Sequence, residues 1–281
     1  MNNEQQYDIK TAIDAGVALA DPRFPADAEH DRTPFVVVPH GYNIQSLEKM
    51  FPTPLRKSGT VNLGDTASFI EYIKKHGEKD TCTIYADIDQ QESKASYVAV
   101  LNDHGKSPES PQWRDHKCTF TPKQSVEWKR WTASDKRQME QSVFATWLED
   151  NLADIASQDK MPTGADMLQM ALNFERNATK RYKQKLDLQG GGVQFEYVDD
   201  EEKDTRTQMK VFERFALGMR VFVGGDAYAM QARLKYRESS GKLVFWYELI
   251  RPDKVFEAAS QDIIDAVREE TGMLVLLGSI Y

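Results

Sequence analysis

The run Ala227-Tyr228-Ala229-Met230-Gln231-Ala232-Arg233-Leu234-Lys235-Tyr236-Arg237 decides the fold class of this chain. Tyr228, Met230, Ala232, Leu234 and Tyr236 alternate with Gln231, Arg233, Lys235 and Arg237, and a period of two sends the two sets to opposite faces of a strand. On the N-terminal side, Phe212 to Val223 is rich in β-branched and aromatic residues and ends at Gly224-Gly225-Asp226. On the C-terminal side, Ser239-Ser240-Gly241 leads into Lys242 to Ile250, where Leu243, Phe245, Tyr247 and Leu249 alternate with Val244, Trp246 and Glu248. Short β-prone runs separated by glycine-containing turns predict antiparallel hairpins. Beyond Arg251-Pro252-Asp253, the residues Val255, Phe256, Ala259, Ile263, Ala266 and Val267 recur at helical spacing. Asp253 is the expected N-cap and Gly272 the expected C-cap. Met273 to Leu277 reads as a last, buried strand. The expected unit is a three-stranded meander whose apolar face packs under that helix, followed by the last strand.

Composition narrows the rest. With 281 residues, 40% hydrophobic and 28% charged, the chain is ordinary for a globular protein with a substantial core. A formal net charge of −8 and a pI near 5.3 exclude nucleic-acid binding over the whole surface but not by a local basic face. Two cysteines imply no disulfide framework. No basic segment followed by an apolar core opens the chain, and no apolar run reaches the roughly 18 residues of a membrane span. The expectation is a cytoplasmic protein with no membrane partner.

Before the meander the signals are shorter. Tyr7 to Ala20 has Ile9, Ile13, Val17 and Ala20 spaced for an amphipathic helix, and Phe35 to Val38 reads as a strand stopped by Pro39. Asp65 is placed to cap a helix containing Phe69, Ile70 and Ile73, which ends near His76-Gly77. Strands are expected at 60–63, 81–86, 95–101 and 116–121. Ser134 is the expected cap of a long helix with Met139, Val143, Phe144, Trp147, Leu148 and Leu152 on its buried stripe. A helix from Pro162-Thr163 is expected to continue through Lys180 to Lys185 and stop at Gly190-Gly191-Gly192. Residues 193–198 and 205–211 would form a hairpin around an acidic turn. The division expected is a helix-on-sheet region over 1–122, a helical middle over 123–189 and the meander with its helix over 190–281. The class is α+β, with antiparallel sheets packed by helices.

Three groups of motifs together resemble one family. They are Pro39-His40-Gly41-Tyr42 with Ser46-Leu47-Glu48, Arg56-Lys57-Ser58-Gly59-Thr60-Val61 and Ser68-Phe69-Ile70; Trp113-Arg114-Asp115-His116 with Trp128, Trp131 and Phe144 to Asn151; and Ala232 to Arg237 with Leu249-Ile250-Arg251-Pro252. The pattern resembles the YfdQ-like proteins, uncharacterised proteins of phages and prophages, along nearly the whole chain. The resemblance implies a phage-derived cytosolic protein and transfers no catalytic residue.

The chemistry-bearing candidates are few. Arg233, Lys235 and Arg237 share a face, which Arg220 and Trp246 join if the runs pair as hairpins. Cations beside an aromatic suit a single-stranded nucleic acid, with bases stacking and phosphates meeting charge. The competing reading is a solvated face whose cations pair with Glu213, Glu238 and Glu248. Asp103, His104, Asp115, His116 and Cys118 are the residue types of a metal site, but their spacing matches no established signature. The glycine clusters lack the Lys-Ser/Thr or strand-to-helix setting of a phosphate loop, and no nucleophile motif is present. Trp128 and Trp131 read as core or as a face for a second subunit. The acidic segment Asp199 to Asp204 reads as a solvated turn rather than a DNA mimic.

The function expected is that of a non-enzymatic phage accessory protein without a cofactor, a homo-oligomer that holds single-stranded nucleic acid. The alternatives are a protein that sequesters a host component and a metal-dependent enzyme.

Overall fold

The computed structural model describes residues 3–20, 43, 48–108, 110–174, 182–186, 193–197, 212–239 and 242–280. The chain divides into two compact units, Met1–Lys57 and Ser58–Tyr281. In chain order the elements are α1 (Asn3–Ala20), β1 (Gly59–Leu63), α2 (Thr66–His76), β2 (Thr83–Asp89), β3 (Lys94–Val100), β4 (His116–Phe120), α3 (Val126–Ala133), β5 (Met139–Glu140), α4 (Gln141–Asp150), α5 (Gly164–Phe174), β6 (Tyr182–Leu186), β7 (Val193–Tyr197), β8 (Arg214–Arg220), β9 (Ala227–Ser239), β10 (Lys242–Leu249), α6 (Pro252–Thr271) and β11 (Leu274–Leu277). The class is α+β, as the alternation and the helical spacing predict.

The first unit contains α1 and a short 3₁₀ turn at Glu48–Met50. Ile13 and Val17, two of the residues spaced for this helix, are both exposed. The expected strand at Phe35–Val38 lies outside the described residues.

The second unit has two larger sheets and a hairpin. Five strands run in the order β1-β4-β3-β2-β11. The inner strands pair antiparallel, while β1 on β4 and β11 on β2 are parallel. Alternation sends Ile84, Ala86, Tyr97, Ala99, Cys118 and Phe120 to one buried face, with Phe69 and Ile73 of α2 in the same core. α2 forms as the sequence predicts: Asp65 accepts the Ser68 N–H at 2.8 Å, the side-chain cap that a helix start requires.

The four-stranded sheet has the order β5-β10-β9-β8. Its apolar face packs against Trp131, Phe144 and Trp147 of α3 and α4. Trp131 lies 4.9 Å from Tyr247 and Phe144 stacks on Phe245 at 5.2 Å, both measured between ring centroids. Two polar groups on these rings are satisfied internally. Tyr247 Oη donates to the Trp131 carbonyl at 2.7 Å and Trp131 Nε1 donates to Asp154 at 2.8 Å.

Several expectations are corrected. The meander is covered mainly by α3 and α4, not by α6. α6 bridges the two larger sheets: Tyr97 Oη of β3 donates to the Ser260 carbonyl at 3.0 Å, while Phe256 meets Phe222 at the end of β8 at 5.3 Å. β11 leaves the meander and joins the other sheet, because β2 offers it a free edge. α6 is capped by Arg251, in the left-handed conformation at φ 55, with Pro252 at its first turn. Proline fits there because its missing N–H would be unbonded anyway; Asp253 instead pairs with Arg251 at 2.8 Å. Ser134 closes α3 rather than opening a helix, and Met139 is drawn into β5 opposite Phe245. The segment 182–186 is strand β6, paired with β7 so that Lys183 opposes Glu196. The expected partner of 193–198, residues 205–211, lies outside the described residues, as do Gly190-Gly191-Gly192 and the acidic turn at 199–204. Among the described residues no helix is long and apolar enough to cross a membrane.

Candidate functional site

The registers of the four-stranded sheet build its outer face. β9 on β10 opposes Arg237 with Val244, Lys235 with Trp246 and Arg233 with Glu248. β8 on β9 opposes Arg214 with Arg233, Ala216 with Gln231, Gly218 with Ala229 and Arg220 with Ala227. Residues directly opposite each other in a sheet share a face. Arg220, Arg233, Lys235, Arg237 and Trp246 therefore lie on one face. Arg214 joins them, a member the sequence reading missed because the run from Phe212 shows no clean alternation.

The face is uneven. Arg214, Arg233, Lys235, Arg237 and Trp246 crowd one end. Arg220 stands six residues along β8 from Arg214, about 20 Å at strand rise, beyond a floor of Ala216, Gly218, Ala227 and Ala229. A side chain at Gly218 would come within 3.3 Å of Ala156, so the floor is kept low at that point. Trp246 is half-buried. The Arg237 guanidinium carbon stands 5.9 Å from its ring centroid, a cation–π distance, and Arg237 Nη2 donates to Gln138 at 2.8 Å.

Like charges directly opposed on a sheet are destabilising, and the Arg214–Arg233 pair is such an opposition. Among the described residues, Arg214, Arg220, Arg233 and Lys235 make no salt bridge. Of the acids of the competing reading, Glu248 lies directly opposite Arg233 on this face. Glu213 and Glu238 occupy positions of the opposite parity, and Glu248 accepts from Trp246 Nε1 at 3.4 Å. Lys242 and Glu140 neutralise each other at 2.8 Å at the edge of the face.

The second candidate group, Asp103, His104, Asp115, His116 and Cys118, disperses to different partners. Asp103 is 5% exposed. Arg114 Nε lies 2.8 Å from its Oδ1, Tyr85 Oη donates to its Oδ2 at 2.9 Å, and the His104 N–H donates at 2.8 Å. Burial pushes the Asp103 carboxyl up, but hydrogen bonds from His104, Tyr85 and Thr83 and the Arg114 charge outweigh it and hold the group below its ordinary value of 3.8. His104 Nδ1 accepts from the Gln112 N–H at 3.0 Å, and Asp115 accepts from Asn102 at 2.9 Å. The His116 ring packs edge-on against Tyr72 and against His76 of α2, 5.7 Å from the latter.

Cys118 is fully buried, and burial together with Cys82 pushes its thiol up to about 12. A thiol that resists ionisation is a poor metal ligand. The pleat explains the dispersal. Tyr85, which binds Asp103, is on the outer face of the five-stranded sheet, whereas His116 and Cys118 point to the inner one. Among the described residues no three His, Cys, Asp or Glu side chains are grouped to hold a metal ion. A cavity of about 200 Å³ near Gly64, Phe120, Phe222 and Ile263 presents Lys123 as its one charged lining residue, so it offers no acid–base pair.

No curated protein and no solved structure matches the chain. Residues 8–280 match the profile of a family described as uncharacterized conserved protein (DUF2303). With nearly its full length matched, the chain belongs to that family.

Proposed function

We propose that this protein is a non-enzymatic accessory protein of phage or prophage origin, of the YfdQ-like type. On this reading it works in the bacterial cytoplasm as a homo-oligomer and holds single-stranded nucleic acid on the outer face of the four-stranded sheet. The observation that carries the reading is the row of cations beside the half-buried Trp246, in which Arg214 is opposed to Arg233 and, among the described residues, Arg214, Arg220 and Lys235 make no salt bridge. Opposed arginines cost stability in the free protein, and a phosphate between them reverses the sign of that interaction. Residues two apart on β9 are spaced about 7 Å, so Arg233, Lys235 and Arg237 can follow successive phosphates while Trp246 offers one stacking surface.

The test is fluorescence anisotropy with a labelled oligonucleotide of about 15 nucleotides. Four phosphate contacts, from Arg214, Arg233, Lys235 and Arg237, give a slope of log affinity against log salt of about −2.8 for a single strand. Raising salt from about 50 to 200 mM should therefore weaken binding about 50-fold. The double charge reversal Arg233→Glu/Arg237→Glu should abolish it. Absence of binding at the lower salt, or an unchanged affinity in the double variant, overturns the reading.

A further inference from the structure

β11 is the edge of the five-stranded sheet. It is parallel to β2 on one side, and among the described residues no strand pairs with its other side. Its side chains are apolar and open: Leu274 is 57% exposed, Leu276 41% and Leu277 76%. Exposed edge strands of solitary proteins carry a lysine, a proline or a bulge that blocks further pairing. Here residues 271–281 contain no charged side chain and no proline, in a chain that is 28% charged. On the outer face the register aligns Leu276 with Tyr85 and Val98, and Leu274 with Thr83 and the buried Val100, while the Tyr85 hydroxyl is already held by Asp103 and Arg114. The opposite edge differs, since β1 places the polar Thr60 and Asn62 on this face.

We infer that β11 is where two copies of this chain pair, edge to edge and antiparallel, about a two-fold axis normal to the sheet. The edge carries no side-chain charge that would oppose a second copy. Two chains of formal net charge −8 repel over most of their surfaces, and the uncharged stretch at 271–281 lets them approach without opposing carboxylates. The nearby Glu270 is already held by Lys74 at 2.6 Å. The segment is also self-complementary. A two-fold normal to the sheet keeps each face on its own side, so residues of like parity must oppose each other. Centring on Val275 opposes Leu274 with Leu276 of the second copy. The two apolar half-faces then meet at the axis in one ten-stranded sheet. The ladder is short, so the pairing should be of about micromolar strength.

This deepens the assembly half of the proposed function. Sedimentation velocity over about 1–100 µM tests it. Wild type should become dimeric across that range. Leu276→Lys, and independently Leu274→Lys, should raise the dissociation constant at least about tenfold with circular dichroism unchanged. Val61→Lys on the opposite edge should leave the dimer intact. A wild type that stays monomeric throughout overturns the inference, as does an oligomer that survives both β11 substitutions. Oligonucleotide binding is read separately. A monomeric protein that still binds would sink only the pairing, and a dimer that never binds would sink only the nucleic-acid reading.

Discussion

Arg114→Ala should destabilise the protein by about 2 kcal/mol. Breaking a buried ion pair from one side costs about 3–5 kcal/mol when the remaining charge is left uncompensated. Two features reduce that figure here. The Arg114 side chain is 33% exposed, so solvent screens part of the pair. Asp103 would also keep Tyr85 Oη and the His104 N–H as donors. The backbone contributes little to the difference, since Arg114 sits at φ 55 and alanine meets the same left-handed strain. For a unit of this size the loss is a fall in Tm of about 4–8 °C.

The pH dependence has a defined sign. Asp103 is depressed in the folded state, so its contribution is complete above the ordinary value of 3.8 and is lost as pH falls through the lower folded value. The gap between wild type and Arg114→Ala should stay constant from about pH 8 to 6 and narrow below about pH 4. Thermal unfolding followed by circular dichroism reads both effects. Asp103→Asn/Arg114→Ala should lose less than the sum of its single variants, as coupled neighbours do. A loss under about 0.5 kcal/mol near neutral pH, the scale of an ordinary surface change, would refute the reasoning. A gap that widens on acidification would refute it equally.

Two further outcomes follow from buried thiols and from one backbone conformation. Burial pushes Cys82 and Cys118 up to about 12, so the native protein should resist a thiol reagent at neutral pH, while the denatured chain should titrate both cysteines; rapid native labelling would contradict the packing. Gly272 closes α6 at φ 64, and a side chain there would meet only Lys79 at 3.6 Å. Gly272→Ala should therefore cost about 1 kcal/mol from conformation alone, and a melting temperature equal to wild type would show that the left-handed cap is not required.

The meander was legible because period-two alternation encodes faces directly. Arg233, Lys235 and Arg237 had to lie together, and turn chemistry brought Trp246 and Arg220 alongside. Arg214 was hidden because its run lacks alternation: Ala216 and Gly218 keep the outer face low, and small residues carry no polarity signal. The destination of β11 was illegible for a different reason. An uninterrupted apolar run does not say which edge it joins, and β2 lies nearly two hundred residues earlier. The acidic and histidine cluster misled through sequence proximity. Leu101 and His116 are indeed bonded across β3 and β4 at 2.9 Å. The pleat nevertheless sends Tyr85 outward and His116 and Cys118 inward, and Arg114 takes the carboxylate that a metal site would need. At Ser134 a local cap preference lost to a long-range contact, the pairing of Met139 with Phe245.

The two open sheet faces therefore call for different explanations. An antiparallel sheet commonly keeps one face in water, so exposure of the four-stranded sheet beyond β8, β9 and β10 needs no special cause. What calls for a cause there is the excess of positive charge: Arg233 faces Glu248 on β10 but Arg214 on β8, and Lys235 and Arg237 extend the row. The five-stranded sheet is the reverse case. Its polar outer positions, Thr60, Asn62, Lys117 and Thr119, suit water, but its edges run parallel to their neighbours, and parallel strands normally occur where both faces are covered. At β11 this combines with leucines on an unpaired edge. On the proposed readings, the excess of positive charge at one sheet suits a polyanion, and the apolar edge at the other suits another strand.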